Sequence, residues 1–344
     1  MDAVAAARSG DTILVAPCTY YGSVDFLGKS LRIVSTDGPA ATTILASPGH
    51  PVVSVRTGEG PGTVLEGFTL MGGGSPTEPV VEEEFASLTL RDVVLTENSG
   101  TVLVYARSSL IVLDRVTIDD TNLASEGLII QGRRGSSVIR DSEISCGTAA
   151  FGYTQEHGFS FIEGTTFHCA GATAAWLFHG PARLQRDMFE GRVFVENENS
   201  SAEATVVEGS LLLGGLDAYG AAIDLRNVVS TAPIQVEYSA LSVRGSIVTT
   251  GACGISGRAS STSVSYSDFY GNTTNGCGVA NPVGLNGNFS EDPLFVDVAA
   301  GDYHLQAGSL CVDAGPPDTS ELDPDATPND VGAYGGPFSL GGGR

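Results

Sequence analysis

The stretch Gly127–Cys146, GLIIQGRRGSSVIRDSEISC, decides the fold. It holds three short runs, Gly127–Gln131, Ser136–Arg140 and Ser142–Cys146, parted by Gly-Arg-Arg-Gly and by Asp141. Runs of this kind, alternating and bounded by Gly or Asp, read as strands with one buried face. None is long enough to make a core alone. The motif inside the stretch is Ile139-Arg140-Asp141 to Ile144: an aliphatic residue, a polar or charged one, a turn residue, two variable positions and an apolar residue.

Outward from there the motif recurs. Upstream it reads Leu65-Glu66-Gly67 to Leu70, Leu90-Arg91-Asp92 to Leu95 and Leu113-Asp114-Arg115 to Ile118. Downstream it reads Ile162-Glu163-Gly164 to Phe167, Leu184-Gln185-Arg186 to Phe189, Val207-Glu208-Gly209 to Leu212, Leu225-Arg226-Asn227 to Ser230, Val243-Arg244-Gly245 to Val248 and, weakly, Val264-Ser265-Tyr266 to Phe269. The third position advances by 25, 23, 26, 23, 22, 23, 18, 18 and 21 residues. That period suits one rung of a solenoid, in which each unit buries its apolar face only by stacking on its neighbours. The first and sixth positions would form inward apolar columns. Gly, Asp and Asn at the third suit a sharp bend with positive φ. No helical period intervenes, and a propeller blade would need about 40 residues. The expected fold is all-β: a single-stranded right-handed parallel β-helix of about 10–12 coils with three short strands per coil.

Composition agrees. The 344 residues include 45 Gly and one lysine, Lys29, and 17 Lys plus Arg face 40 Asp plus Glu, a net charge of -23. A nucleic-acid binder needs a basic footprint, and an anionic membrane surface would repel this chain. No apolar run approaches the length of a membrane span, so no membrane insertion is expected. The opening residues Met1-Asp2-Ala-Val-Ala-Ala-Ala show neither a basic n-region nor an apolar h-region.

Two further segments carry a resemblance. Residues 6–20, AARSGDTILVAPCTY, are similar to the opening coil of secreted bacterial β-helix proteins, with Cys18 where that pattern has Gly. Asp292-Pro-Leu-Phe-Val-Asp297, Gly301-Asp-Tyr-His-Leu305, Val312-Asp-Ala-Gly315 and Asp330-Val-Gly-Ala-Tyr-Gly335 are similar to their closing segment. With the repeat, these residues resemble the pectin-lyase-like superfamily. The resemblance implies export, and hence a secreted or cell-surface protein whose signal peptide is not in this chain. It specifies architecture more than activity, since one fold hosts many functions.

Among the six cysteines no CxxC pair suggests zinc. Cys146 and Cys169 fall at the same place in adjacent coils, where rungs about 4.8 Å apart suit a disulfide. Cys253 and Cys277 also lie in consecutive coils, whereas Cys18 and Cys311 should not meet. Buried free thiols are the plainer alternative for all six. Residues 1–50 are expected to hold a short capping helix, Asp2–Arg8, and the opening coils; residues 51–290 the β-helix core; and residues 291–344 a C-terminal cap and acidic tail, all in one domain.

Four features could carry chemistry. The second position of the motif, from Glu66 to Arg244, mostly alternates in charge and reads as an outward ladder of ion pairs. The seventh position reads Thr96, Asp119, Ser145, His168, Glu190 and Leu213. A histidine between carboxylates can work as a general acid or base, so Asp119, Glu143, His168 and Glu190 are the candidate catalytic residues. Ser145 lacks a GxSxG setting, and chance polar stacking is the plainer reading. The face of the first strands, where the resemblance implies substrate grooves, offers Tyr105, Arg133, Tyr153, His157, Trp176, His179 and Glu196 as substrate-binding candidates. In the tail, Asp313, Asp318, Asp323 and Asp325 supply hard oxygen ligands suited to Ca2+, although no EF-hand spacing is present.

The catalytic signatures that the resembled enzymes carry are missing: no central lysine base, no GHG after paired aspartates, no QDT-type, DFIFG-type or DPHE segment. Two classes of function follow. The first is a β-helix module that binds carbohydrate or a surface partner without a recognisable catalytic motif. The alternative is a polysaccharide lyase or glycoside hydrolase with a groove on the middle coils.

Overall fold

A computed structural model describes residues 2–119, 128–147, 151–197 and 203–341. The fold is an all-β parallel β-solenoid of about 11 coils, with one short helix. By contact it divides into two compact units: residues 1–161 with 165–178, and residues 162–164 with 179–344.

In the first unit the first strands of successive coils stack in parallel: Val24–Asp25, Val53–Val55, Val81–Glu84, Val102–Arg107, Leu128–Arg133, Phe151–Glu156 and Thr173–Phe178. The second and third strands build the other sheet. In the coil quoted at the outset all three strands form, as Leu128–Arg133, Ser136–Arg140 and Glu143–Ser145; Gly127 lies outside the described residues. In two neighbouring coils the second and third run on as the single strands Ser87–Thr96 and Leu110–Asp119. The second unit repeats the plan, with Arg192–Glu196, Leu216–Tyr219, Ile234–Glu237, Cys253–Arg258 and Thr274–Cys277 in one parallel stack. Thr205–Leu212, Ala222–Ser230, Ala240–Arg244 and Ser261–Ser265 form the other.

The repeat places its residues as the sequence requires. All ten first positions, Leu65 through Val264, and all ten sixth positions, Leu70 through Phe269, are at most 6% exposed. All ten third positions have φ between 46° and 81°. Gly67, Gly164, Gly209 and Gly245 adopt it without a Cβ penalty. Asp92, Asp141 and Asn227 tolerate it as short polar residues, while Arg115, Arg186 and Tyr266 are held there against it.

The fourth position explains how the bend is satisfied. In Ser142, Ser210, Ser246 and Ser267 the hydroxyl donates to the second-position carbonyl of its own coil, at 2.7–2.9 Å. It accepts the fourth-position N–H of the preceding coil, from Val116, Asp187, Val228 and Ser246 respectively, at 3.1–3.2 Å. A buried backbone N–H beside a tight bend thereby finds a partner. The second-position ladder forms as well. Arg32 and Arg91 reach Glu66 and Arg91 reaches Asp114, while Arg226 and Gln185 reach Glu208.

The ends are closed differently. The N-terminal helix is shorter than expected, Asp2–Ala6. Its only buried apolar residue is Val4, and Lys29 Nζ donates to the carbonyls of Val4 and Ala5 at 2.8 and 2.9 Å. The single lysine thus satisfies the helix C-terminus. In the second unit the C-terminal segment lies on the sheet. Tyr303, Cys311, Val331 and Ala333 pack on Leu211, Val229 and Ile247, which occupy the fifth motif position. That position points away from the core, and it turns apolar in these coils because it is covered. Cys146–Cys169 and Cys253–Cys277 are disulfides, with Cα separations of 4.9 and 6.0 Å. Cys18 is free and exposed; Cys311 is free and buried.

Candidate functional site

The outward face of the first strands in the first unit is set by register. One column runs Glu82, Tyr105, Gln131, Thr154, Trp176. A second, two residues further on, runs Glu84, Arg107, Arg133, Glu156, Phe178. The inward residues between them include Ala106, Gly132, Gln155 and Leu177, all buried.

A local irregularity adds a third aromatic ring. Gly152 and Tyr153 are consecutive and both buried, as are Ala174 and Ala175. A Cβ at Gly152 would come 2.9 Å from Cys169 Sγ and 3.0 Å from Cys146 Sγ, so this position faces the disulfide and takes only glycine. The preceding residue, Phe151, is then turned to the surface. Its ring stacks on Trp176 with centroids 5.4 Å apart and planes 24° from parallel. Trp176 meets Phe178 edge-on at 6.3 Å, and His157 meets Phe178 edge-on at 6.3 Å. The result is a half-buried aromatic platform of Phe151, Trp176 and Phe178, beside the polar side chains of Gln131 and Thr154. The Trp176 Nε1–H is buried and has no acceptor among the described residues.

Three arginines of this face are paired with carboxylates beside them. Arg133 pairs with Glu156 at 2.8 Å, Arg107 with Glu84 at 3.5 Å and Arg56 with Glu82 at 3.1 Å. Burial pushes the Glu82 carboxyl above its ordinary range, against the pull of Arg56. Next to it Glu83 points inward and is fully buried, with its carboxyl pushed up to about 7 by desolvation; Ser109 Oγ donates to it.

The substrate-binding candidates therefore separate. Trp176 and His157 belong to the platform, and Tyr105 and Arg133 lie in its columns. Tyr153 does not face the surface: it is 0% exposed, its hydroxyl donating to Gln155 Oε1 at 3.0 Å and sharing a 2.8 Å hydrogen bond with Ser160 Oγ. Desolvation pushes this phenol up to about 12. The consecutive buried residues Gly152 and Tyr153 break the alternation and separate Tyr153 from Phe151, which simple alternation would put on the same face. His157 and His179 are both bend residues with positive φ, 53° and 58°. In the second unit His179 donates its N–H to the Glu196 carbonyl at 2.9 Å, and Glu196 is in register with Tyr219.

Of the catalytic candidates, Asp119, Ser145 and His168 occupy one column on successive rungs, and Glu143 sits two residues before Ser145 on the same outward face. Asp119 and His168 are thus two rungs apart, roughly 10 Å along the stack. Glu190 lies in the second unit. Among the described residues no group of three or more His, Cys, Asp or Glu is placed to hold a metal ion. The tail carboxylates instead accept local hydrogen bonds. Asp318 caps the short 3-10 turn Thr319–Glu321, Asp325 accepts from the Thr327 backbone, and Asp323 accepts from the N–H groups of Asp330 and Gly336. The Asp313 N–H donates to Asp330 at 2.7 Å.

Other concavities lie elsewhere on the described residues. A groove of about 370 Å3 follows the bends past Glu66, Asp92 and Arg115, but Arg115 is clamped bidentately on Asp92. A cavity of about 160 Å3 lies between Glu208, Arg226 and the C-terminal residues Glu321 and Phe338, and its buried Glu208 is neutralised by Arg183 and Arg226. No protein-family model matches the sequence, and no curated protein matches it significantly.

Proposed function

We propose that the protein is a carbohydrate-binding β-solenoid module, and that it takes a neutral glycan on the Phe151–Trp176–Phe178 platform. The observation that carries this reading is the stacked, outward Phe151–Trp176 pair on a rigid parallel sheet. Half-buried rings on a flat strand face offer an apolar plane to the C–H face of a sugar ring. Thr154 and Gln131 lie one and two rungs from Trp176, in reach of the sugar's hydroxyls. The Trp176 Nε1–H, a donor without an acceptor among the described residues, costs about 1–3 kcal/mol while unsatisfied. A small shift of the indole on binding would let a sugar oxygen relieve that cost.

Charge sets the class of glycan. The face's arginines Arg56, Arg107 and Arg133 are all paired, and the chain carries a net charge of -23. A polyuronate would meet a repulsive overall field, although Arg134, exposed at the bend beside this face, takes part in none of these ion pairs. The catalytic alternative needs an acid and a base converging on one point, and Asp119 and His168, two rungs apart, do not converge in that way.

The test is calorimetric titration with neutral and uronic oligosaccharides, run beside assays for new reducing ends and for unsaturated products at 235 nm. Binding of neutral glycans, weakened tenfold or more in Trp176→Ala and unaffected by His168→Ala, supports the reading. Turnover of any glycan, or binding that survives Trp176→Ala unchanged, contradicts it.

A further inference from the structure

In the second unit, the C-terminal segment seals a carboxyl into an apolar seam. Asp268 stands on the outward fifth position, in line with Ile247 on one side and Phe289 on the other. In the coils above it the equivalent residues are Leu211, Val229 and Ile247. Asp268 alone in that row is ionisable, and it is 0% exposed. Oδ1 accepts the Glu291 N–H at 2.9 Å, and Oδ2 accepts from the Cys311 thiol at 3.8 Å. Cys311, itself 0% exposed, belongs to the apolar cluster that fastens the segment. Its carbonyl takes the Val331 N–H at 2.9 Å, tying the next stretch of the segment to the same point.

We propose that Asp268 is the pin of a pH-responsive clasp, which holds the segment around Glu291 and Cys311 on the sheet while the carboxyl is neutral and loosens it when the carboxyl must carry charge. The groups that face it are Glu291 and Cys311, with Tyr270 nearby and Asp330 beyond Cys311. All of these are acidic when they ionise, and no cation among the described residues compensates the site. Burial accordingly raises the Asp268 carboxyl to about 7 and the Cys311 thiol to about 12.

The sign follows from proton linkage. The closed clasp keeps the Asp268 proton from the ordinary value of 3.8 up to about 7, whereas an opened, hydrated Asp268 has already lost it. Closure therefore weakens as pH rises through that window and levels off above it. A second attachment is neutral and does not titrate. Asn227 and Asn329 exchange amide hydrogen bonds at 2.8 and 3.2 Å, so the tail stays tethered while the clasp works.

Amide hydrogen exchange tests this on the intact chain, with protection factors corrected for intrinsic rate. The amides of Glu291 and Val331 should lose at least tenfold in protection between pH 5 and pH 7, while Val94 in the first unit keeps its own. In Asp268→Asn, which retains the acceptor for Glu291, that loss should vanish. An equal pH dependence in wild type and Asp268→Asn overturns the clasp. Should the variant fail to fold, a carbon-13 titration of the wild-type carboxyl decides: a midpoint near 7 supports the clasp, and one at the ordinary 3.8 overturns it.

Discussion

Asp141 shows how one residue shapes the coil. It is exposed and has φ 46°, in the left-handed region that β-branched side chains avoid. Asp141→Gly is expected to leave the urea midpoint within about 0.5 kcal/mol of wild type, whereas Asp141→Val lowers stability by about 1–2 kcal/mol. One residue on, the hydroxyl ladder gives a second expectation. Ser210→Ala removes the acceptor of the buried Asp187 N–H and should cost about 1–3 kcal/mol by the same measurement. The third-position bend was legible in the sequence because Gly, Asp and Asn recur there. The serine ladder beside it was not, because Phe68, Val93, Val116 and Thr165 share the column and hide its chemistry. Tyr153 was placed on the outer face, and Phe151 was not singled out, for a related reason: alternation assumes a regular pleat, and the buried pair Gly152–Tyr153 breaks it.

At the scale of the strand stack, inward polar residues carry the strongest consequence. Glu83 occupies the interior of its coil, in register with Val55 and Ala106, and its carboxyl is raised from 4.5 to about 7. The folded state thus holds a proton that the unfolded chain has released, so stability falls as pH rises from 4.5 to about 7. Glu83→Gln should flatten that part of the slope, a change of up to about 3 kcal/mol between the two ends of the window, read from denaturant midpoints at each pH. The portion carried by Asp268 should remain. The disulfide between Cys253 and Cys277 closes a span of 24 residues across adjacent rungs; Cys253→Ser with Cys277→Ser should cost about 3 kcal/mol. Equivalent placement in consecutive coils made Cys146–Cys169 readable in advance, whereas Cys253 and Cys277 lie in consecutive coils but out of register, so that pairing was legible only as a plausible one. The covered fifth-position row was not read, although Leu211, Val229 and Ile247 already differ from the polar Thr117 and Glu143 at the same place.

For the whole molecule, the stacked repeat supplies rigidity and the two outward columns supply a face. A parallel stack holds side chains at a fixed pitch of about 4.8 Å, so a ligand with its own linear repeat can be met by successive rungs. Under the proposed glycan-binding reading, the field of a chain at -23 would select against polyanions. Architecture was legible from periodicity because burial in a solenoid repeats with the rung. The aromatic face was only half legible: Trp176 was found as a lone large ring, while Phe178 and Phe151 depend on where the strand begins and where its alternation breaks.

The platform has its own reporter, because Trp176 is the only tryptophan in the chain. The direct measurement is intrinsic fluorescence during titration with neutral oligosaccharides. The account predicts a saturable change in intensity with a shift of the emission to shorter wavelength, as a sugar covers the indole, and no such change with uronic oligomers. A spectrum that stays unchanged across the neutral panel, while the folded chain still shows its native spectrum, contradicts the assignment of the platform as a glycan site.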